Sequence, residues 1–231
     1  MLVWHQCPKC AHRWSEERKI PISRCVVDRG VYEAAMKFVA EREEEWGGIG
    51  IGSYEASGQV SVKAVIFPPQ MKHDRSYCVF DSRYVALLRF RLDDLGLLVD
   101  TTTVAWVHTH PGHGIFLSST DQETYQDLLT ENTQLIALVI EPVGREIGGF
   151  KGIKPNQKIP VEISDCELTE MERVKLCILP KMLPEMVAVL VPTAPGRPSG
   201  DILMEVIDAL IKVNSKLRRW AGDFGEGSGA G

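Results

Sequence analysis

The sequence predicts an α/β protein in which helices and strands alternate along one main domain. Two observations predict this class. Stretches with apolar residues three and four positions apart, typical of helices, alternate with short apolar and β-branched runs, typical of strands. Hydrophobic residues make up 44% of the 231 residues, close to the average globular protein, so the chain can bury a core. That fraction excludes a largely disordered chain.

The elements of this domain follow from the patterns in chain order. Between residues 20 and 160 we expect a strand at 22–27, a helix at 29–44, a hairpin of strands at 49–54 and 60–67, a helix at 81–95, a strand at 102–108, a helix at 118–130, and strands at 135–140 and 148–153. Gly47-Gly48 stops the first helix, and Gly58 lies in the hairpin turn. The stretch 70–80 has no clear period.

The chain after residue 160 is predicted to be helical, with a helix at 169–179 and a stronger one at 201–220, where an apolar stripe ends in Lys and Arg residues. We therefore divide the chain into an N-terminal segment (1–19), an α/β domain (20–160), a C-terminal helical extension (161–221) and a flexible Gly/Ser-rich tail (222–231). The apolar stripe must be covered, so the extension is a candidate for binding a protein partner or for self-association.

Charge and targeting patterns exclude several classes. The 26 Lys+Arg and 31 Asp+Glu residues give a net charge of −5, which argues against broad nucleic-acid binding. No apolar run approaches the roughly 20 residues of a membrane-spanning helix, and the first ten residues do not resemble a signal peptide. Six cysteines without a framework spacing indicate reduced thiols. We expect a soluble, cytoplasmic protein without membrane or nucleic-acid partners.

The segment from His108 to Asp121 has the spacing of a metal site. Two histidines two positions apart at the end of a strand point to the same side, so His108 and His110 can converge on one ion. Asp121, in the first turn of the following helix, can join them and leave one position of a tetrahedral Zn²⁺ open, as in hydrolytic sites. Alternatively, Ser118 and Asp121 are only the start of a helix, with a hydroxyl cap and an acid near the positive end of its dipole.

The pattern His-x-His-Pro, six residues, then Ser-x-x-Asp resembles the JAMM motif of the MPN/JAB-domain zinc metalloproteases. The six-residue spacing is similar to that of the deubiquitinating members, including the proteasome-lid enzyme, and the resemblance covers roughly residues 20–155. It implies an MPN/JAB-domain fold, which is a central mixed β-sheet flanked by helices and is cytidine-deaminase-like. Residues 20–160 would then be the catalytic domain.

The resemblance also implies a role for each residue of the motif. His108, His110 and Asp121 would bind one catalytic Zn²⁺, and the Ser118 hydroxyl would donate to the developing oxyanion. The family has an upstream Glu before Gly-rich strand residues, and Glu45 fits that place as the general base. Glu44 remains a rival one position away, and the acidic run at 41–45 can also be a solvated helix end.

Two further sites are expected. Cys7 and Cys10, spaced as Cys-Pro-Lys-Cys, are half of a possible structural zinc site, which His5, His12, Cys25 or a second chain could complete. The resemblance implies that the modifier's C-terminal tail adds a strand to a sheet edge beside the zinc. The candidate edge is 70–80, with groove residues Met71, Val79 and Phe80.

The function implied is that of a zinc-dependent isopeptidase or peptidase that removes ubiquitin or a ubiquitin-like modifier after a C-terminal diglycine. Its partners would be conjugates of such modifiers. Two alternatives remain open. One is C-terminal processing of a small sulfur-carrier protein of the ubiquitin-like type. The other is a scaffold subunit whose main role is partner binding, against which the intact motif argues.

Overall fold

The computed structural model describes residues 2–6, 13–17, 21–96, 101–152 and 156–192. These residues form four helices, α1 (Arg29–Ala40), α2 (Arg83–Asp94), α3 (Ser119–Glu131) and α4 (Glu170–Met182). They also form thirteen strands, β1 (Leu2–Gln6), β2 (Arg13–Glu17), β3 (Arg24–Asp28), β4 (Gly47–Tyr54), β5 (Gln59–Phe67), β6 (Gln70–Asp74), β7 (Tyr77–Phe80), β8 (Thr102–Thr109), β9 (Ile136–Glu141), β10 (Glu146–Lys151), β11 (Gln157–Ile159), β12 (Val161–Ser164) and β13 (Ala188–Leu190). Cys7, Cys10, the helix predicted at 201–220 and the tail at 222–231 lie outside the described residues.

Nine of the strands form one mixed sheet. Eight are neighbours in the order β11, β10, β9, β8, β4, β5, β3 and β12, and β13 pairs with the end of β5. The pairs β3–β5, β3–β12 and β8–β9 are parallel, and the other pairs of this sheet are antiparallel. The strands β1 and β2, and likewise β6 and β7, form separate two-stranded antiparallel sheets. The predicted α/β class, with a mixed sheet between helices, is confirmed.

The helices cover both faces of this sheet because neighbouring residues of a strand point to opposite sides. Along β9, Leu138 packs in the cluster that contains Val31 of α1, whereas Val139 packs in the cluster that contains Tyr125 of α3. Along β5, Val65 joins the α1 cluster and Ile66 joins a cluster built by α2 and α4. Helix α1 therefore covers one face, and α2, α3 and α4 cover the other.

Polar caps set where three of the helices begin. The Asp28 carboxylate accepts hydrogen bonds from the N–H groups of Gly30 and Val31 at the start of α1. Helices α3 and α4 each begin with a capping box, formed by Ser118 with Asp121 and by Thr169 with Glu172. In α3 this cap fixes the first turn, which carries the predicted metal ligand.

The structure differs from the sequence prediction in three places. Helix α1 ends at Ala40, so the acidic run at 41–45 is irregular rather than helical. The stretch 70–80 is a β-hairpin, β6–β7, rather than an edge of the main sheet. The region after residue 160 is not purely helical, because β12 and β13 join the main sheet and α4 packs on it.

No helix among the residues described combines the length and the apolar character needed to cross a membrane.

Candidate metal centre

The predicted site residues meet at one end of the central strands. His108 lies near the end of β8, where its pairing partner on β4 is Gly47. This register brings Glu45, two residues before Gly47, next to the histidine. His110 follows the end of β8, and the first turn of α3 returns Asp121 to the same place. All four residues are buried, with exposed fractions of 2 to 7%.

The distances between these side chains are short. Nε2 of His108 lies 3.1 Å from Oε2 of Glu45 and 3.2 Å from Oδ1 of Asp121. Nε2 of His110 lies 3.4 Å from Oδ2 of Asp121 and 3.9 Å from Oε1 of Glu45. Two imidazole nitrogens and two carboxylates therefore face one another inside the protein.

The other ring nitrogen of each histidine is occupied. Nδ1 of His110 lies 3.1 Å from the carbonyl oxygen of Gly114, which can only accept, so this nitrogen carries a hydrogen. Nδ1 of His108 lies 3.2 Å from the sulfur of Cys78, on β7. Both Nε2 atoms are thus directed to the centre, as in histidines that bind metal through Nε2.

The donor set fits a cation. Nε2 of His108 is buried, and it has no hydrogen-bond partner among the described residues despite the two carboxylate oxygens nearby. A lone pair on that nitrogen would face the lone pairs of the carboxylates, which is unfavourable unless a positive charge lies between them. Imidazole nitrogen and carboxylate oxygen are ligands that Zn²⁺ uses at catalytic sites.

The electrostatics of the centre also favour positive charge. Burial favours the protonated form of Asp121, but hydrogen bonds from His110 and Ser118 and the nearby His108 outweigh burial and lower its pKa to about 2. Burial lowers the pKa of His110, but Asp121 and Glu45 outweigh it, so the net shift is upward. The carboxylates therefore stabilise a cation at the position that the histidine nitrogens face.

On geometry alone, either Glu45 or Asp121 could be the carboxylate ligand of a metal. Glu45, His108 and His110 each offer one possible ligand atom, and these three atoms lie within 4.8 Å of one another, close enough to hold one metal ion. An oxygen of Asp121 lies within 3.4 Å of Nε2 of each histidine, whereas Glu45 lies 3.1 Å from His108 but 3.9 Å from His110. Its Oδ2 also accepts a 2.8 Å hydrogen bond from the N–H of Ser118, which orients the carboxylate. The assignment of Asp121 as ligand and Glu45 as base stays a prediction.

Glu45 is held in place by its neighbours on both sides. Its own N–H donates to the carbonyl of Asp74 on β6 at 2.7 Å. The next residue, Trp46, donates its N–H to the hydroxyl of the fully buried Thr109 at 2.7 Å and accepts from the Thr109 N–H at 3.1 Å. Glu44 is only half-buried. Residues 41–45 are therefore irregular rather than a solvated helix end, and they direct the side chain of Glu45 to the histidines.

Ser118 lies at the edge of the centre and has a structural role already. Its hydroxyl oxygen accepts a 3.1 Å hydrogen bond from the N–H of Asp121, as the N-cap of α3. This contact uses the oxygen as an acceptor and leaves the hydroxyl hydrogen available as a donor. The cap predicted as an alternative to a catalytic role is thus present, and it is compatible with that role.

The hairpin β6–β7 borders the centre, and its predicted groove residues differ in placement. Met71 is 67% exposed on β6. Val79 and Phe80 on β7 are half-buried, and Phe80 packs against the position where Gly47 lacks a side chain; a Cβ there would lie 2.9 Å from its ring. The exposed His113 does not join the centre, and its Nε2 lies 3.1 Å from the carbonyl of Arg75 in the hairpin turn.

Sequence reasoning missed two residues that support the centre. One is Cys78, a single cysteine in a stretch without periodicity. The other is the buried residue Glu141 at the end of β9, whose carboxylate accepts hydrogen bonds from the N–H groups of Gly112, Val143 and Gly144. These bonds tie the loop after His110 to the neighbouring turn. An acid followed by proline directly after a core strand, Glu141-Pro142, was the only local signal of this role.

The other predicted metal site is not described in full. Cys7 and Cys10 lie outside the described residues, and Cys25, one of the residues proposed to complete the site, is fully buried on β3. The second zinc stays a prediction.

Comparison with known proteins identifies relatives of the chain. It is 48% identical over 65 residues to the STAM-binding protein of Rattus norvegicus, covering 27% of this chain and 14% of that protein. It is 30% identical over 96 residues to the ubiquitin carboxyl-terminal hydrolase RPN11 of Saccharomyces cerevisiae, covering 42% and 31%. It is also 30% identical over 95 residues to the AMSH-like protease of Homo sapiens, covering 35% and 22%.

The matched stretches span less than a third of the length of these relatives. No protein-family model matches the chain. The relatives nevertheless include three differently named proteins, RPN11, the STAM-binding protein and the AMSH-like protease, and this chain matches each of them separately. The resemblance of this chain to the JAMM/MPN+ proteins, first indicated by the spacing of its histidines and aspartate, is thereby confirmed.

Proposed function

We propose that this chain is a zinc-dependent isopeptidase or peptidase with an MPN/JAB-domain fold, which releases ubiquitin or a ubiquitin-like modifier by hydrolysis after a C-terminal diglycine. The observation that supports this most is the buried meeting of two histidine Nε2 atoms with the carboxylates of Glu45 and Asp121. The names of two relatives, a ubiquitin hydrolase and a protease, favour the substrate class.

Each side chain has a distinct task in this proposal. His108, His110 and Asp121 hold the zinc, with each histidine oriented by the partner of its Nδ1. Zinc bound there supplies Lewis-acid activation of the scissile carbonyl and of a water molecule. Glu45 accepts the proton of the attacking water and returns it to the leaving amine. Its burial and its fixed backbone keep the carboxylate within reach of both tasks.

Ser118 stabilises the charge that develops on the carbonyl oxygen. Its hydroxyl hydrogen is not used by the helix cap, so it can donate to the oxyanion without loss of the cap. A donor that is already fixed before the reaction stabilises the transition state more than a mobile one, because no reorganisation is needed.

The modifier's tail has a candidate binding surface in the hairpin β6–β7. The hairpin has its own strand edges, to which an extended peptide can add main-chain hydrogen bonds. Its contacts with Gly47 and Glu45 place it beside the centre: the Gln70 side chain accepts from the Gly47 N–H and donates to its carbonyl, both at 3.0 Å. A tail bound along this hairpin would pass close to the centre, where glycine, which lacks a Cβ, needs the least room; this is the reason for proposing a diglycine terminus.

The test is release of free modifier from conjugates. Purified zinc-loaded protein is incubated with diubiquitin and with a ubiquitin fusion, and the products are separated by gel and mass spectrometry. We expect cleavage after the second glycine, loss of cleavage with a zinc chelator, and recovery on adding Zn²⁺. A fusion in which the penultimate glycine is replaced by leucine is the matched control and should resist cleavage.

The outcome also separates the alternatives. Cleavage of a sulfur-carrier-type fusion but not of ubiquitin would assign the chain to the processing of such carriers. Equal cleavage of the leucine substrate would identify a general peptidase. A zinc-loaded protein that cleaves none of the substrates would overturn the enzyme assignment and favour the scaffold hypothesis.

A further inference from the structure

The Nδ1 atoms of the two histidines have different kinds of partner, a backbone carbonyl for His110 and a side chain for His108. His110 is held by the carbonyl of Gly114, four residues further along the same loop. His108 is held by the side chain of Cys78, thirty residues earlier, on a separate two-stranded sheet. A backbone carbonyl cannot be removed by substitution of its side chain, whereas a thiol can. Cys78 is therefore the Nδ1 partner whose contribution depends on residue type and can be tested by substitution.

The direction of the contact with Cys78 follows from the task of His108. If Nε2 binds a metal, that nitrogen must present its lone pair, so the ring hydrogen resides on Nδ1. Nδ1–H then donates to the sulfur of Cys78, which acts as a weak acceptor at 3.2 Å. In known metal sites such outer contacts fix the tautomer and the ring orientation of the ligand.

The position of the sulfur is built by its surroundings. On the hairpin, Cys78 pairs with His73 of β6. On the other side it approaches Gly47, where an added Cβ would lie 3.3 Å from the Cys78 sulfur and 2.9 Å from the Phe80 ring. The absence of a side chain at Gly47 thus lets β7 approach β4 closely enough for the sulfur to reach the imidazole of His108.

We propose that Cys78 is a positioning residue of the zinc site, which holds His108 in the tautomer and orientation that bind metal through Nε2. The inference rests on the proposed function, because it assumes that His108 is a zinc ligand. It adds that the hairpin β6–β7, beyond any contact with substrate, is required for tight metal binding.

Zinc affinity of the full chain tests this proposal without reference to turnover. The zinc dissociation constant is measured by competition with a chromogenic chelator for the wild type, Cys78→Ala and Cys78→Ser. Loss of an outer partner typically weakens metal binding about 10- to 100-fold, and since a thiol is a weak acceptor we expect about 10-fold for Cys78→Ala. Cys78→Ser retains an acceptor and should recover most of the affinity.

Cys177→Ala is the matched control. Cys177 on α4 is also a half-buried cysteine, but its sulfur contacts the carbonyl of Pro192 and not the centre. Its zinc affinity should equal that of the wild type. Thermal unfolding of the metal-free proteins separates positioning from folding, because Cys78→Ala should lose affinity while its metal-free unfolding temperature stays close to that of Cys78→Ser.

Substitution of the zinc by Co²⁺ gives a second readout. If Cys78 only positions His108, the cobalt protein should lack a sulfur-to-metal charge-transfer band, and its visible ligand-field bands should change in Cys78→Ala. A charge-transfer band that disappears in Cys78→Ala would make Cys78 a direct ligand and overturn the proposal. Equal zinc affinity in the wild type and Cys78→Ala would also overturn it. A wild type that binds no zinc would instead contradict the proposed function.

Discussion

Lys63 on β5 and Glu172 on α4 form an ion pair, with 3.0 Å between Nζ and Oε1, although their side chains are only 10% and 16% exposed. Glu172 also completes the capping box of α4 with Thr169. One carboxylate thus starts the helix and attaches it to the central sheet. The region predicted to be a separate helical extension is therefore tied to the sheet at its first turn.

Removal of Lys63 should destabilise the protein. Lys63→Met leaves the partly buried carboxylate of Glu172 without its cation, and leaving such a group unpaired typically costs about 1–3 kcal/mol. Urea unfolding followed by tryptophan fluorescence measures the change in the free energy of unfolding. Lys181→Met, at an exposed position of the same helix, is the control and should change it by less than about 1 kcal/mol.

The same pair predicts a pH dependence. Burial alone would raise the pKa of Glu172, but the N–H of Thr169 and the ammonium of Lys63 outweigh it and lower the pKa below its ordinary value of 4.5. A lowered folded-state pKa adds stability above pH 4.5 that is lost as the pH falls through the folded value. The wild type should therefore lose more stability than Lys63→Met as the pH falls from neutral to below 4.5.

Truncation tests where the folding unit ends. A chain that stops at residue 191 retains β12, α4 and β13 and should fold with the proposed zinc site intact. A chain that stops at residue 160 should fail to fold, because it removes Leu176, Leu179 and Leu183, which are at most 1% exposed in the core. Hydrogen exchange and zinc content report the result. A folded, zinc-binding 1–160 fragment would restore the boundary predicted at residue 160.

Glu45→Gln should keep the fold and the zinc but lose most of the turnover. Glutamine has nearly the same shape but cannot accept the proton of water, and general base catalysis typically contributes about 10²- to 10⁴-fold. The rate constant kcat on a ubiquitin fusion is compared with that of Glu44→Gln, which should be close to the wild type. Full activity of Glu45→Gln would move the base to another residue.

Substitution of a proposed ligand should remove the metal. His108→Ala or Asp121→Ala leaves two ligands, which hold Zn²⁺ poorly, so the purified variants should contain little zinc by elemental analysis. His113→Ala changes an exposed histidine of the same loop and should keep one zinc per chain. If Asp121→Ala retains zinc but Glu45→Gln loses it, the two carboxylates exchange their assigned tasks.

Ser118 requires a variant that separates its two roles. Glycine is nearly as good an N-cap as serine, so Ser118→Gly should cost only a few tenths of a kcal/mol of stability. It removes the hydroxyl donor, and we expect kcat to fall about 10²- to 10³-fold with little change in KM. An unchanged kcat would leave Ser118 as a helix cap only.

The regular elements, and the approach of His108, His110 and Asp121 to one another, were predictable because their signals are local. Apolar spacing identified α1 to α4, and the strand ending at His108 followed from its β-branched run. The short strands β12 and β13 were not predictable, since three or four residues have too little pattern and exist only through pairing with β3 and β5. Their register depends on strands more than a hundred residues away in the chain.

The remaining differences between the sequence prediction and the structure come from tertiary contacts. The acidic run continued the helical pattern, but α1 ends at Ala40, and Arg42 turns back so that its guanidinium lies 3.6 Å from the centre of the Phe38 ring. The choice between Glu44 and Glu45 needed this turn and the pairing of Gly47 with His108. The contact between Cys78 and His108 likewise has no trace in the local sequence, because it joins two different sheets.

The carboxylate of Glu141 has a consequence for the speed of the proposed hydrolysis. The loop after His110 contains Gly112 and Gly114, both with positive φ and open space around them, a composition that favours a mobile loop. Glu141 restrains it through the N–H of Gly112 and fixes the turn beside it. We therefore expect the loop to be ordered before substrate arrives, so that a turnover cycle contains no slow closing step at this loop and product departure does not wait for it to open.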